Sequence, residues 1–464
     1  MTHPTFSILH VASEVAPFSQ TGGLGDVARD LPAIQRRSGM RSIVISPLYG
    51  CVDRTELTKT KEEFVVTLGG QSFPCRKWTD SEDAHWFVDV PGLLDRAQLY
   101  NDEHGDYWDN PLRFGVFCKA ASQLSKEFDL LHLHDWQSGL TALYNQGDRP
   151  SVISIHNLAY QGLCGFEWAD RLEIPHHLRD FSGVEYYGQI SLLKAGLVLA
   201  DHISTVSPTY AHEIQSEPGG QGLSGLFAHR ASTLTGILNG LDYQLWNPET
   251  DPALGSHFSV ASLQNRAPNR ASLFHEYRLT PGVLFTVVSR AAHQKGLHLI
   301  IDHIDELIEA GARFIWLTNG ERDIMQTIES CAARHPGAFR LIPRFDPTVA
   351  RRLYGGADFV LVPSLYEPCG LTQMMAMRYG SVPIVRSTGG LADTVIDGDT
   401  GLSFRDVSST QCRNSILRGL ALYKDTEAFT AMQLRCMKVD YSWSRAHTTY
   451  GLMYQQLVQQ HSER

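Results

Sequence analysis

The sequence predicts an α/β protein in two halves, each a parallel sheet with helical crossovers. Three observations predict it. Short apolar runs alternate with longer amphipathic stretches from end to end, the pattern of successive βα units. The runs are β-branched or Leu-rich and bounded by loop residues, as strands buried on both faces are. A segment rich in Asn, Gly, Asp and Pro, at 238–251, then divides the pattern into halves of similar size.

In the first half, strands are expected at 6–12, 41–46, 130–133, 151–155 and 202–206, with helices at 25–37, closed by Gly39, and at 112–126. The runs at 64–68 and 85–90 read as an added antiparallel excursion, with Gly69-Gly70 between them. In the second half, strands are expected at 283–289, 313–318, 339–343, 358–363 and 382–386. After the first of these, Leu297, Ile300, Ile301, Ile304 and Ile308 fall on one helical face. Crossovers between parallel strands are right-handed, and ligands bind beyond the carboxyl ends of such strands. Two such sheets facing each other would make one deep cleft, so the chemistry is expected in loops that follow strands.

Composition narrows the class. The 464 residues suffice for about three ordinary domains or two large ones, and for a core that needs no staples. With 43% hydrophobic and 19% charged residues, the chain is neither largely disordered nor collagen-like. Lys and Arg total 40 against 50 Asp and Glu, a formal charge of −10, which argues against nucleic acid or an anionic membrane as partner. The eight cysteines are scattered without a C-x-x-C pair, so reduced thiols in a cytoplasmic protein are expected. No apolar run approaches the ~18 residues of a membrane span. The N-terminal apolar stretch contains His10 and Glu14 and reads as a strand, not a signal peptide.

Five strand-following segments carry chemistry. Ser19-Gln20-Thr21-Gly22-Gly23-Leu24-Gly25-Asp26 is either a tight βα turn or an anion-accepting loop at a helix N-terminus; its spacing is not that of a nicotinamide fingerprint. His132-Leu133-His134-Asp135-Trp136 has the H-x-H of a metal site, but without a matching ligand cluster the two histidines are expected to be hydrogen-bonded in the core. Trp136 is a sugar platform or, by default, a packing residue. His156-Asn157-Leu158-Ala159-Tyr160-Gln161-Gly162 suits hydroxyl-rich ligands, or simply caps a strand. Arg290 and Lys295 flank a βα turn; together they favour a diphosphate over two solvated cations. Glu367-Pro368-Cys369-Gly370-Leu371-Thr372 sets a carboxylate on a Pro-bounded loop, followed by Thr388-Gly389-Gly390 before another helix. For Cys369, burial is expected and not nucleophilic chemistry.

With these motifs in place, the chain resembles the bacterial glycogen synthase and plant starch synthase family nearly end to end. The resemblance rests on H-x-H-D-W, I-H-N-L-A-Y-Q-G, K-A-G-L-x-x-A-D-x-I-S-T-V-S-P-T-Y-A-x-E-I, G-I-L-N-G-L-D, Q-K-G, E-P-C-G-L-T-Q and R-x-T-G-G-L-A-D-T-V, with Tyr441-Ser442-Trp443 as a closing motif. It implies two facing Rossmann-like domains of the GT-B architecture with the active site in the cleft between them: 1–241 on the acceptor side, 242–442 binding the nucleotide sugar, and 443–464 a helix crossing back. It implies a retaining hexosyltransferase that moves glucose from ADP-glucose to the non-reducing end of an α-1,4-glucan, with no metal and no cofactor. Oligomeric state is not implied, and a plastid-like compartment is compatible with the family.

Residue by residue, the resemblance makes Arg290 and Lys295 the cations on the donor diphosphate, and Glu367 the carboxylate near the transferred sugar. His156 hydrogen-bonds that sugar, and Asp135 belongs to the active-site wall. Gly370 and Leu371 offer amides beside the phosphates, with Cys369, Thr388, Gly389 and Gly390 around them. Gly22, Gly23 and Asp26 form the first donor loop. Tyr100 and Asn239 lie near the sugar, Phe345 stacks on adenine, and Trp136 lines the acceptor side. Retention is expected by front-face displacement without a covalent glucosyl-enzyme.

The chain departs from the family at Gln20, where Lys is usual, and at Gln137, Ala291-Ala292, Asn319-Gly320-Glu321 and Met375. A neutral amide at 20 withholds a charge from the donor. These departures support an alternative, a diverged paralogue using another nucleotide glucose or a weakly catalytic glucan-binding and priming protein. A metal-dependent hydrolase rests on H-x-H alone.

Overall fold

A computed structural model describes residues 6–463. The first five residues and Arg464, which the expected end segments include, lie outside the described residues. The chain forms two compact units. The first comprises residues 6–206, 214–237 and 443–463; the second comprises Ser207–Glu213 and Leu238–Ser442.

The first unit is built on a nine-stranded sheet. Its strands are β1 (Ser7–Val11), β2 (Arg41–Pro47), β3 (Thr58–Leu68), β4 (Gln71–Thr79), β5 (His85–Asp89), β6 (Leu130–His134), β7 (Ser151–Ile155), β8 (His202–Thr205) and β9 (Leu234–Gly236). Their order is β9-β8-β7-β6-β1-β2-β5-β4-β3. All neighbours are parallel except β4, which runs antiparallel to both β3 and β5. Helix α1 (Gly23–Arg37) follows β1, and α2 (Trp136–Asn145) follows β6. The apolar centre of β1, β6 and β7 is fully buried, as a strand covered on both faces requires.

The second unit carries a six-stranded parallel sheet: β10 (Val283–Ala291), β11 (Ala312–Gly320), β12 (Phe339–Ile342), β13 (Phe359–Val362), β14 (Val382–Arg386) and β15 (Leu402–Phe404), ordered β12-β11-β10-β13-β14-β15. Phe285 and Phe359 stack 5.0 Å apart across neighbouring strands in a core that also buries Phe314, Trp316 and Tyr379.

Two expectations need correction. The excursion at 64–90 is three-stranded: Gly69-Gly70 turn β3 into β4, and β5 comes only after it. Pro74 masks β4 in the sequence, because a proline normally argues against an interior strand. Here the β4–β5 pairing covers only Arg76–Thr79, so Pro74 has a strand neighbour on one side alone. The apolar face from Leu297 to Ile308 is likewise split between two short helices, His298–Ile301 and Ile304–Glu309. Leu297, Ile300 and Ile304 are buried, and Ile301 and Ile308 pack against the same core, so the face survives the break. The sequence reading also missed β15, which has three residues.

The helix α6 (Trp443–Ser462) completes the first unit's core. Trp443, Tyr450, Tyr454 and Leu457 pack with Phe6, Ile8, Val27 and Leu31, and Trp443 Nε1 donates to Asp30 at 3.1 Å.

Candidate active site

Strand order locates the site in each unit. In the first, β1 neighbours both β2 and β6, and successive strands run outward from this pair in opposite directions. In the second, β10 and β13 form the same kind of switch point. A crevice opens where crossovers diverge, beyond the carboxyl ends of such a pair. The loops that leave β1, β6, β10 and β13 carry most of the residues singled out from sequence.

At the second unit's switch point, the loop after β10 brings Lys295 to the loop after β13. Lys295 Nζ donates to Glu367 Oε2 at 2.6 Å, and Ser364 Oγ donates to the same oxygen at 2.8 Å. Glu367 is 8% exposed. A carboxylate buried to this degree needs both partners, because an uncompensated charge there costs several kcal/mol. Arg290, near the end of β10, is exposed, and its guanidinium has no partner among the described residues. One cation is thus held by the site's own carboxylate while a second faces outward.

The Glu367 loop continues into α4 (Thr372–Arg378). Gly370 has φ +69°, and a Cβ there would lie 2.5 Å from Gln373 Oε1, so only glycine fits. Gln373 ties the loop by donating to the carbonyl of Gly370 at 2.7 Å. Leu371 sits at the N-terminal boundary of α4, where backbone amides are left without helical partners. The Cys369 thiol lies against the backbone of Asn239, and burial pushes its pKa up to about 12, so it is no nucleophile. The side chain of Asn239 is buried with its Oδ1 unpaired among the described residues. Phe345 is 71% exposed just before a helix.

The second glycine turn, which opens α5 (Gly389–Thr394), is held by a carboxylate of the chain itself. Thr388 Oγ1 and Gly389 N both donate to Glu213 Oε1 at 3.0 Å, and Gly390 N donates to the carbonyl of Glu367 at 3.1 Å. Glu213 ends α3 (Pro208–Glu213), whose Thr209 also grips Asp393 by Oγ1 at 2.6 Å. The chain's own carboxylate therefore occupies an amide of the turn that the resemblance places around the donor phosphates.

The same device recurs at the first switch point. Glu14, immediately after β1, accepts from Thr21 N at 2.6 Å, Thr21 Oγ1 at 2.6 Å and Gly22 N at 3.2 Å. Tyr100 donates to the same carboxylate at 2.6 Å. Gly23 opens α1, and Asp26 in its first turn accepts from Gln20 Nε2 at 2.8 Å. Burial raises the Asp26 pKa, opposed by Arg29. Gln20 is thus spent on Asp26.

Asp135 follows β6 with φ +56°, a conformation disfavoured for a residue with a side chain. Its Oδ1 accepts from His156 N at 2.7 Å. Burial raises its pKa to about 7, which that backbone hydrogen bond opposes. The His156 ring joins His134 through Nε2 at 3.0 Å, and burial lowers its pKa to about 4. Trp136 meets Phe114 edge to face at 5.0 Å, the packing role expected by default.

His132 and His134 are fully buried, and with His10 they bring ring nitrogens within 4.8 Å of one another. All six nitrogens are engaged by protein groups: His10 by Gln35 and His134, His132 by Ser154 and Tyr454, and His134 by His10 and His156. A metal would have to displace these bonds, so the cluster is a hydrogen-bond network of the kind expected for H-x-H.

Sequence reasoning missed Glu14, Glu213, Ser364, His10 and Gln35. Glu14 and Ser364 carried a usable signal, a polar residue just past a strand end. Glu213 stands in the run P-T-Y-A-x-E-I, but nothing in that run points to Thr388, 175 positions away, and nothing around Gln35 points to His10.

Residues 7–229 match the family model described as starch synthase catalytic domain, and residues 282–421 match that of glycosyl transferases group 1. The glycogen synthase of Granulibacter bethesdensis is 38% identical over 475 residues, covering 97% of this chain and 99% of that protein. That of Syntrophotalea carbinolica is 39% identical over 481 residues, covering 98% and 99%. Among solved structures, the catalytic domain of starch synthase IV from Arabidopsis thaliana, bound to ADP and acarbose, superposes with a TM-score of 0.91 at 29% identity, covering 98% of this chain and all of that one. Sucrose-phosphate synthase from Thermosynechococcus elongatus, at TM-score 0.64 and 18% identity, shares the fold.

Proposed function

This chain belongs to the glycogen synthase and starch synthase family of GT-B glucosyltransferases, and from that premise we propose the reaction and the role of each residue. The enzyme transfers glucose from ADP-glucose to the 4-hydroxyl at the non-reducing end of an α-1,4-glucan, with retention at the anomeric carbon. The observation that carries this reading is the Lys295–Glu367–Ser364 cluster at a parallel-sheet switch point, with Arg290 exposed near the end of the strand that leads to Lys295.

A departing diphosphate accumulates negative charge as the glycosidic bond breaks, and preorganised cations stabilise that charge more than they stabilise the ground state. Arg290 is free to bind the phosphates. Lys295 stands between the Glu367 carboxylate and the same leaving group. Glu367, held in place by Lys295 and Ser364, favours positive charge at the anomeric carbon. The amides at Gly370 and Leu371 lie on the donor side; those at Gly389 and Gly390 shape the loop through Glu213. His156 and Asp135 order the transferred sugar. The reaction goes by front-face displacement, in which the leaving phosphate oxygen takes the acceptor's proton.

The test is incubation with labelled ADP-glucose or UDP-glucose plus glycogen, followed by α-1,4-specific digestion. Incorporation from ADP-glucose is expected. Incorporation from neither would overturn the reading and favour a non-catalytic paralogue. Glu367→Ala is expected to lower turnover at least a hundredfold, roughly the loss seen when one preorganised electrostatic group is removed, while circular dichroism stays native. Near-normal turnover would remove Glu367 from the mechanism.

A further inference from the structure

A line of three imidazoles runs from the core of the first unit to the candidate sugar-binding histidine, and its hydrogen bonds have a direction. At the inner end, Gln35 is fully buried in α1. Its Oε1 lies 2.8 Å from His10 Nε2 and accepts from Ser42 Oγ at 2.6 Å. An amide oxygen only accepts, so the proton of His10 is on Nε2 and its Nδ1 is bare. That Nδ1 lies 3.1 Å from His134 Nε2, which must then carry the His134 proton. His134 Nδ1 is left bare, 3.0 Å from His156 Nε2, which must be the protonated nitrogen of that ring. Reversing the Gln35 amide would reverse every proton in the line.

His10 and His134 have no exposed surface, and burial holds the pKa of His10 down to about 3 and that of His134 well below the ordinary range. The line is therefore neutral, and neutral imidazoles in series each have one donor and one acceptor. The tautomer of the last ring follows from the first acceptor. Nothing on His156 itself dictates this choice. A second branch braces the assembly from the side: Tyr454 of α6 bonds His132 Nδ1 at 2.7 Å, and His132 Nε2 bonds Ser154 at 2.6 Å.

We propose that Gln35, acting through His10 and His134, sets His156 in the tautomer with Nε2 protonated and Nδ1 bare, so that Nδ1 is a hydrogen-bond acceptor for a ligand hydroxyl. Gln35, His10 and His134 are positioning residues. The functional half of this statement rests on the reading above that His156 touches the sugar. The tautomer half stands by itself.

The experiment uses the full chain with histidine-selective nitrogen-15 labelling. Long-range proton–nitrogen correlation spectra near pH 7.5 distinguish a bare ring nitrogen from a protonated one, and loss of one signal in His156→Gln assigns that ring. Protonation at Nε2 in His10, His134 and His156 is expected. Protonation at Nδ1 in any of the three, or an imidazolium, would overturn the proposal. In Gln35→Leu, which removes the acceptor, His156 is expected to shift toward the other tautomer, and kcat/KM for the donor to fall about tenfold, the scale of one misdirected hydrogen bond. Gln35→Glu keeps an acceptor and is expected to restore both the native spectrum of His156 and most of the activity. An unchanged His156 spectrum in Gln35→Leu would also overturn it. Should Gln35→Leu fail to fold, the native spectrum and Gln35→Glu still decide. The spectra need no substrate, so a native protein that shows the expected tautomers but transfers no glucose from either donor refutes the proposed function alone.

Discussion

Lys295 and Glu367 lie 72 positions apart in the chain and meet at 2.6 Å. Each stood out in the sequence as a charged residue just past a strand, but their pairing was not legible. The same limit applies to the buried histidines. A lone H-x-H says nothing about protonation, whereas three rings without exposed surface say a great deal. A histidine whose folded pKa is held down contributes stability that is fully present above the unfolded value of 6.5. That stability is lost as pH falls toward the folded value, about 3 for His10, because the unfolded chain takes the proton first. His10, His132 and His134 should each remove about 1.4 kcal/mol per pH unit in that window. Asp135 works in the opposite direction: its raised pKa makes stability fall as pH rises through about 7. Denaturant unfolding between pH 7 and 4 is expected to show the acid loss, with a shallower slope in His132→Asn. A flat profile over that range would contradict the burial of these rings.

Among elements, the two glycine turns show where pattern reading reaches its end. Each was identified correctly as a strand-following turn opening a helix, the geometry that attracts negative charge. In both, the negative charge is already in the chain: Glu14 for Thr21-Gly22 and Glu213 for Thr388-Gly389. Gly389, at φ +44°, also leaves no room for a Cβ against the Glu367 carbonyl, so the turn and the Glu367 loop are locked together. Glu213→Ala should free that turn. The expected outcome is a loss of about 1–3 kcal/mol in the second unit's stability, the cost of stripping a charged acceptor from buried donors, together with a raised KM for the donor. Glu213→Gln, which keeps one acceptor oxygen, should lose less. Equal and negligible effects from both would show that the carboxylate does not hold the turn. At this scale β4 was missed because Pro74 conceals it, and the face from Leu297 to Ile308 was read correctly although its helix is broken.

For the whole molecule, neither unit is one continuous stretch of chain. Ser207–Glu213 belongs with the second unit, and the residues from Trp443 onward belong with the first. Trp443, Tyr450, Met453, Tyr454 and Leu457 bury five large side chains in the first unit's core. At roughly 1.5–3 kcal/mol each they supply about 7–15 kcal/mol, as much as the whole stability of a typical domain. Removing residues 443–464 is therefore expected to collapse hydrogen-exchange protection in β1, β2 and β6 while β10, β11 and β13 keep theirs. Full protection in both sheets would refute the role assigned to α6.

The alternation of strands and helices, the linker-like segment at 238–251 and the loops that carry Arg290, Lys295 and Glu367 were determined by the sequence alone. They depend on local periodicity and on the chemistry of residue types, and both are written within a few positions of chain. Which backbone amides stay open to a ligand, which cation is already paired and which histidine nitrogen bears a proton were decided only by the tertiary structure. Hydrogen-bond satisfaction is a property of neighbours in space: Glu213 finds Thr388 across 175 positions, and Gln35 reaches His156 through two other rings. No window along the chain contains those partners.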